Sequence, residues 1–325
     1  MKCGAFNSGL TIHPNGKVSP CCVFDHNYFQ DLHELDWADP WKDLRDGRGC
    51  DACKHPGPTY KNTFDKYINT QFKIKYLDVR NNNLCNLECS ICNSYYSSKW
   101  AQRLSKQKFV STDFDVDLTH VDRIYFAGGE PLLNPKHWQV LESILDPSKV
   151  SLHYNSNLTM VKNIEKYWPK FKSVSVNASM DGVGQIGEQL RYGTDFSKWE
   201  NNLHYASKYA KITLNPTISV LNIFHLKDIE DWSSFPIWYN ILTGPDYLCV
   251  SVLPQELKQQ IPYIPDNAHL NQLLDTDTSN LFNHTISSIL LQDKLKGTDI
   301  WSYLPFEKYA IEEFLDKAIE EYMAP

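Results

Sequence analysis

Cys85, Cys89 and Cys92 lie in the run Leu84-Cys85-Asn86-Leu87-Glu88-Cys89-Ser90-Ile91-Cys92-Asn93, with the spacing C-x-x-x-C-x-x-C. Thiolate is the metal-binding form of cysteine. Three thiolates are one fewer than the four that usually close a four-iron cluster. A cluster so held keeps one iron open to a further ligand, and an open position marks reactivity rather than scaffolding, as it does among zinc sites. A zinc knuckle is the competing reading, with its fourth ligand drawn from elsewhere, for instance one of the eleven histidines. Zinc sites favour paired C-x-x-C units over such a triplet.

Lys75–Val79 reads as a strand, followed by the turn Asn81-Asn82-Asn83 and then the first cysteine. Ile124–Phe126 is a second short apolar strand, and it runs into Ala127-Gly128-Gly129-Glu130-Pro131. Paired glycines allow close backbone approach, and Pro131 fixes the exit of the turn. Alone, Gly128-Gly129 reads equally as an ordinary strand-ending turn.

Together and in this order, the two motifs resemble the signature of the radical S-adenosylmethionine (SAM) enzymes, which carry C-x-x-x-C-x-x-C after a first barrel strand and Gly-Gly-Glu-Pro after the second. The resemblance implies a [4Fe-4S] cluster on Cys85, Cys89 and Cys92, whose open iron chelates the amino and carboxylate groups of SAM. It implies reductive cleavage of SAM to a 5′-deoxyadenosyl radical that abstracts hydrogen from a substrate. Gly128 and Gly129 would then approach the methionine portion, and Glu130 would help hold its ammonium. The position before the third cysteine is often aromatic in that family and packs near adenine; here it is Ile91, still apolar. An electron donor such as flavodoxin or ferredoxin is implied as partner.

The other N-terminal cysteines gather at Cys3, Cys21, Cys22, Cys50 and Cys53. Leu10–Cys22 reads as a hairpin about Pro14-Asn15-Gly16, and Trp41–Leu44 as the start of a short helix. The spacing from Cys3 through Gly16 to Cys21, followed by Cys50-Asp51-Ala52-Cys53, resembles the auxiliary-cluster modules called SPASM and twitch. That implies a second iron–sulfur cluster on Cys3, Cys21, Cys50 and Cys53, with Cys22 as a possible substitute for Cys21. In better-known relatives the module follows the barrel; here it precedes it. A zinc-stapled hairpin is the alternative for the same thiolates.

Beyond the cluster loop, helical stripes alternate with short β-rich runs. The stripes are Trp100/Leu104, Trp138/Leu141/Leu145, Val161/Ile164/Trp168, Trp199/Leu203/Ala206/Ala210 and Leu226/Ile229/Trp232. The strands are expected at Val150–Tyr154, Val174–Ala178, Ile212–Leu214 and Tyr247–Val252. With the first two strands this makes six β–α units, the pattern of a parallel sheet. Periodicity allows an open doubly wound sheet as well; the resemblance implies an α/β fold with a partial (β/α)6 TIM-like barrel, a small N-terminal hairpin module and C-terminal helices. The expected divisions are 1–72, 73–260 and 261–325.

In such folds, reactive groups collect beyond the C-terminal ends of the strands. Asn155-Ser156-Asn157-Leu158 resembles the family's Thr-Asn-Gly turn, with Asn157 in the glycine's place, a residue that tolerates positive φ. Asn177–Gly182 resembles a Ser-Ile-Asp-Gly stretch whose serine, here Ser179, contacts SAM. By the same resemblance Arg191 serves the SAM carboxylate, a task suited to a guanidinium fork, and Asn222 the ribose. Asp181, His153, Tyr154 and Tyr192 are candidates for facing substrate, or ordinary packing residues. Cys249 reads as a small buried hydrophobe.

A composition of 42% hydrophobic and 22% charged residues is that of a globular protein. No run reaches the length of a membrane span, and the start of the chain lacks the apolar core of a signal peptide. Nine cysteines without export signals point to metal ligands in a reducing cytoplasm. A formal charge of −7 argues against nucleic acid as the main partner. Asn267–Leu281, Thr285–Leu295 and Phe306–Met323 read as helices that close the sheet or meet a partner. Relatives with auxiliary clusters often modify peptides or proteins, so the expected substrate is a peptide or protein. The alternatives are a small metabolite, or a non-catalytic zinc- or cluster-binding scaffold.

Overall fold

The computed structural model describes residues 3–44, 64–68, 70–104 and 109–306. In chain order the strands are β1 (Gly9–Ile12), β2 (Lys17–Ser19), β3 (Gln30–Asp31), β4 (Tyr76–Val79), β5 (Glu88–Cys89), β6 (Arg123–Phe126), β7 (Ser151–Ser156), β8 (Ser173–Ala178), β9 (Arg191–Tyr192), β10 (Lys211–Leu214), β11 (Thr217–Ile218) and β12 (Asn240–Ile241). The chain divides into two compact units.

The first unit holds the chain up to Asn86, with Ser94–Asn177 and Asn202–Ile212. Its core is an eight-stranded sheet of order β10-β8-β7-β6-β4-β1-β2-β3, which β10 enters with Lys211 and Ile212. β1, β4, β6 and β7 run parallel, and β2 and β3 extend the edge antiparallel. The architecture is thus α/β with a mostly parallel sheet. Register explains its stability. Leu10, Leu77, Ile124 and Leu152 stand side by side on one face, and Ile12, Val79, Phe126 and Tyr154 form the next row. All eight are buried, each side chain contributing about 1.5–3 kcal/mol of transfer free energy.

The opposite face is polar: Thr11, Asp78, Tyr125 and His153 align across the same four strands. Asp78 is fully buried and accepts Arg80 Nε at 2.9 Å. Burial pushes its carboxyl up, while the Arg80 guanidinium opposes that rise.

The second unit holds Leu87–Asn93, Ala178–Asn201 and the described residues from Thr213 onward. It contains the two-stranded pairs β5–β9, antiparallel, and β11–β12, parallel. Its helices include Gln185–Leu190, Leu226–Trp232, Ala268–Asp275 and Phe282–Lys296. Asn267 caps the third of these by accepting from the His269 and Leu270 N–H groups.

The expected hairpin forms from β1 and β2, and β1 also pairs along its whole length with β4. One expectation changes. The run Tyr247–Val252, read as a sixth strand, forms two 3-10 turns, Asp246–Leu248 and Val250–Val252. Leu248, Val250, Ser251 and Val252 are all buried there. A short apolar run buried on every side carries no alternation that distinguishes a strand from packed turns. The expected helix Phe306–Met323 falls outside the described residues apart from Phe306.

Candidate functional site

In the first unit, the residues ahead of Cys85 form a bracket for the glycine turn. Asn82 O accepts the Gly129 N–H at 3.3 Å, and Leu84 O accepts the Glu130 N–H at 2.6 Å. Gly128 has φ +102°, in the region that favours glycine. A Cβ on Gly129 would stand 2.2 Å from the Leu84 carbonyl oxygen. Gly128 is therefore favoured by its backbone conformation, and Gly129 is required by contact with the cysteine loop itself. Pro131 opens a 3-10 turn, Pro131–Leu133, where its missing N–H costs nothing.

Glu130, expected to hold an ammonium, is 1% exposed. Its Oε1 accepts the Leu132 N–H at 3.1 Å and the Ser156 hydroxyl at 2.8 Å, and its Oε2 accepts the Asn157 N–H at 2.7 Å. An ammonium there would share oxygens that already bind the two turns together.

Asn157 is the hub that sequence reasoning undervalued. Its Oδ1 accepts from Thr159 N–H and hydroxyl at 2.9 and 2.7 Å. Its Nδ2 donates to Asn86 Oδ1 at 3.1 Å and reaches Cys85 Sγ at 3.9 Å. The left-handed residue of this turn is Leu158, with φ 49°, rather than Asn157; Asn157 spends its side chain on hydrogen bonds. Ser98 closes the other side of Cys85, accepting its N–H and donating to its carbonyl, both at 3.1 Å.

Of the N-terminal cysteines, Cys21 is buried and Cys3 and Cys22 are half-buried. The Cys22 thiol lies against the Asp78 carboxylate. Cys50 and Cys53 lie outside the described residues.

In the second unit, Cys89 sits in β5 directly opposite Arg191 of β9. Arg191 Nη1 donates to Asp181 Oδ2 at 2.8 Å, with both side chains largely buried. Asp181 Oδ1 accepts the Thr217 N–H at 3.0 Å. Asn222 donates to the Asp181 and Thr217 carbonyls, both at 3.1 Å, and accepts from Ser219 N–H at 2.9 Å. Cys89, Arg191, Asp181 and Asn222 are thus one connected group, with the Asn222 amide committed to backbone rather than presented to a ribose. Ser179 and Ile91 are half-buried, and Cys92 closes a turn through its N–H to Cys89 O at 3.0 Å. Burial pushes the Cys89 thiol up; Arg191 and Lys296 pull it down, and Asp181 adds to the rise.

Among the described residues, no group of three or more His, Cys, Asp or Glu side chains is arranged to hold a metal ion. The donor chemistry nevertheless fits a thiolate-held metal. Thiols carry the softest ligand atoms in the chain; the Cys85 sulfur has an amide N–H directed at it, and cations lie near Cys89. Among the same residues, no helix is long and apolar enough to cross a membrane.

No protein-family model matches the chain. It is 27% identical over 215 residues to an uncharacterized protein of Methanocaldococcus jannaschii, covering 62% of this chain and 71% of that one. Among solved structures, it is similar to native anSMEcpe with bound AdoMet, with a TM-score of 0.41 and 18% identity over 69% of this chain and 67% of that one. It is also similar to Streptococcus suis SuiB bound to the precursor peptide SuiA, with a TM-score of 0.37 and 13% identity over 85% and 69% of the two chains. Neither structural likeness is close enough to carry a functional argument.

Proposed function

We propose that this chain is a radical SAM enzyme, with Cys85, Cys89 and Cys92 as ligands of a catalytic [4Fe-4S] cluster. The observation that carries the reading is the seating of the Gly128–Pro131 turn on the backbone of Asn82–Leu84, immediately ahead of the first cysteine. Two motifs distant in sequence meet, and each glycine has a steric reason to be there.

When bound, the cluster and SAM supply reductive carbon–sulfur cleavage and the hydrogen abstraction that follows. The chain's own residues bind and orient. Asn157 directs an N–H at the Cys85 sulfur, which suits a sulfur carrying negative charge. Arg191, held by Asp181, is our choice for a carboxylate of the cofactor, and Ser179 for a neighbouring polar contact. Ile91 offers an apolar surface to the adenine.

The parallel strands β4, β6 and β7 are read as the first strands of a partial barrel. The N-terminal cysteines are read as an auxiliary iron–sulfur site on Cys3, Cys21 or Cys22, Cys50 and Cys53. Because the auxiliary-cluster modules that these cysteines resemble often accompany peptide or protein modification, a peptide or protein is our choice of substrate, with a small metabolite as the alternative.

The test is anaerobic purification, iron and sulfide counts per chain, and a search for 5′-deoxyadenosine after adding SAM and reductant. Deoxyadenosine formed by the native chain and absent from the Cys85/Cys89/Cys92→Ala protein is the expected result. Tightly bound zinc with no iron and no deoxyadenosine would replace this reading with a zinc scaffold. Iron content that falls further in a Cys50/Cys53→Ala protein would support the second site.

A further inference from the structure

The loop between Cys89 and Cys92 is held from a helix far downstream. Lys296, the last residue of the helix Phe282–Lys296, donates from Nζ to Ser90 Oγ at 2.7 Å and to Gln292 Oε1 at 3.1 Å. Gln292, one turn earlier on the same helix face, donates from Nε2 to the Ser90 carbonyl at 3.0 Å. Ser90 is therefore fixed at both side chain and backbone, and it lies between two of the proposed ligands.

Lys296 is only 4% exposed. Lysine is almost never buried to this degree, because removing an ammonium from water is costly. A cation at a helix C-terminus gains from the helix dipole, but that gain is available to an exposed side chain too. Packing alone would be served as well by an apolar residue. What the ammonium adds is a rigid grip on Ser90 and a positive charge in the loop's low-dielectric surroundings.

We propose that Lys296 is a positioning residue for the cluster loop, fixing Ser90 and placing a buried positive charge near Cys89. The inference rests on the cluster reading above. A fixed cation stabilises the more negative, reduced state of a thiolate-held cluster, so Lys296 raises its reduction potential. Charge and hydrogen bonding around the sulfurs are the levers by which proteins tune such centres.

The experiment uses the full chain reconstituted anaerobically with iron and sulfide, as wild type, Lys296→Met, Lys296→Arg and Ser90→Ala. Iron per chain is counted, and the midpoint potential is read from a redox titration followed by electron paramagnetic resonance. The relevant signal is the one lost in the Cys85/Cys89/Cys92→Ala protein. Lys296→Met should retain iron and shift the potential to more negative values, and Lys296→Arg should return it toward wild type. Ser90→Ala keeps the charge; its potential should stay near wild type while a chelator strips its iron faster. An unshifted potential in Lys296→Met overturns the inference. If that variant holds no iron, Lys296→Arg decides: wild-type iron and potential support the inference, and equal loss overturns it. A wild-type chain that takes up no iron at the three cysteines fails the cluster reading itself, and this inference with it.

Discussion

The Glu130 carboxylate accepts the Asn157 backbone N–H at 2.7 Å, joining two strand-end turns that are 27 residues apart in sequence. The same carboxylate takes the Ser156 hydroxyl and the Leu132 N–H. Glu130→Ala strands buried donors, and each such loss costs roughly 1–3 kcal/mol. The expected outcome is a loss of about 3 kcal/mol in urea unfolding, together with lower iron retention. Glu130→Gln keeps one acceptor oxygen and should lose about half as much. An alanine variant as stable as wild type would show that the turns do not depend on this carboxylate.

Gly129 makes a sharper case, since its added Cβ would meet backbone rather than a movable side chain. The Leu84 carbonyl lies 2.2 Å from that position, so the turn or the cysteine loop has to move. Gly129→Ala should cost about 3 kcal/mol, in the upper range of overpacking effects, and should impair metal uptake at Cys85. Gly297→Ala is the control. Nothing lies within 4 Å of its added Cβ, and its backbone is ordinary left-handed, φ +68° and ψ 32°, so the cost should be about 1–2 kcal/mol. Equal losses in the two variants would remove the steric argument.

Much of this arrangement was legible in the chain, and the exceptions have physical causes. β4, β6, β7 and β8 fall within a residue or two of their expected bounds because their β-rich residues are local, with buried and less buried positions alternating in β7 and β8. The cysteine and glycine turns stand out in the sequence because their residue types are rare and their spacing is local. The pairing of β1 with β4 was missed, since long-range register leaves no mark in either segment. Tyr247–Val252 misled because uniform burial imitates a strand. Asn157 was noticed for its backbone tolerance, whereas its side-chain bonds matter more. Lys296 gave no signal at all: a lysine near the end of a helix is ordinary until its burial is seen.

Asp78 and Arg80 pair across the polar face of the sheet, with Arg80 Nε 2.9 Å from Asp78 Oδ1. The Asp78 side chain is wholly buried and that of Arg80 is 29% exposed. Removing one member of a buried pair strands the other, typically at about 3–5 kcal/mol. The partial exposure of Arg80 places Asp78→Ala near the lower end, about 3 kcal/mol, in denaturant unfolding. The double variant Asp78→Leu/Arg80→Met should recover most of that loss. If the double variant is no better than Asp78→Ala, the polar face requires the pair for more than charge balance.

His137 is fully buried, with Nε2 2.9 Å from the Tyr154 hydroxyl and with Phe126 and Trp138 packed against its ring. Burial lowers its pKa to about 3. Its folded value therefore lies below the unfolded value near 6.5, and the unfolded chain binds more protons between the two. The stability this neutral ring contributes is complete above pH 6.5 and is lost as pH falls toward 3. Between pH 6.5 and 5 the loss is about 2 kcal/mol for one such ring. His13 and His153, both lowered to about 4, act in the same direction, and the partial exposure of each makes its share smaller. Unfolding free energies measured across pH 7.5 to 5 should therefore fall steadily with acid. His137→Gln keeps a polar partner for Tyr154 but cannot titrate, so its slope should be shallower by roughly one proton. An unchanged slope would mean that His137 is already protonated in the folded chain.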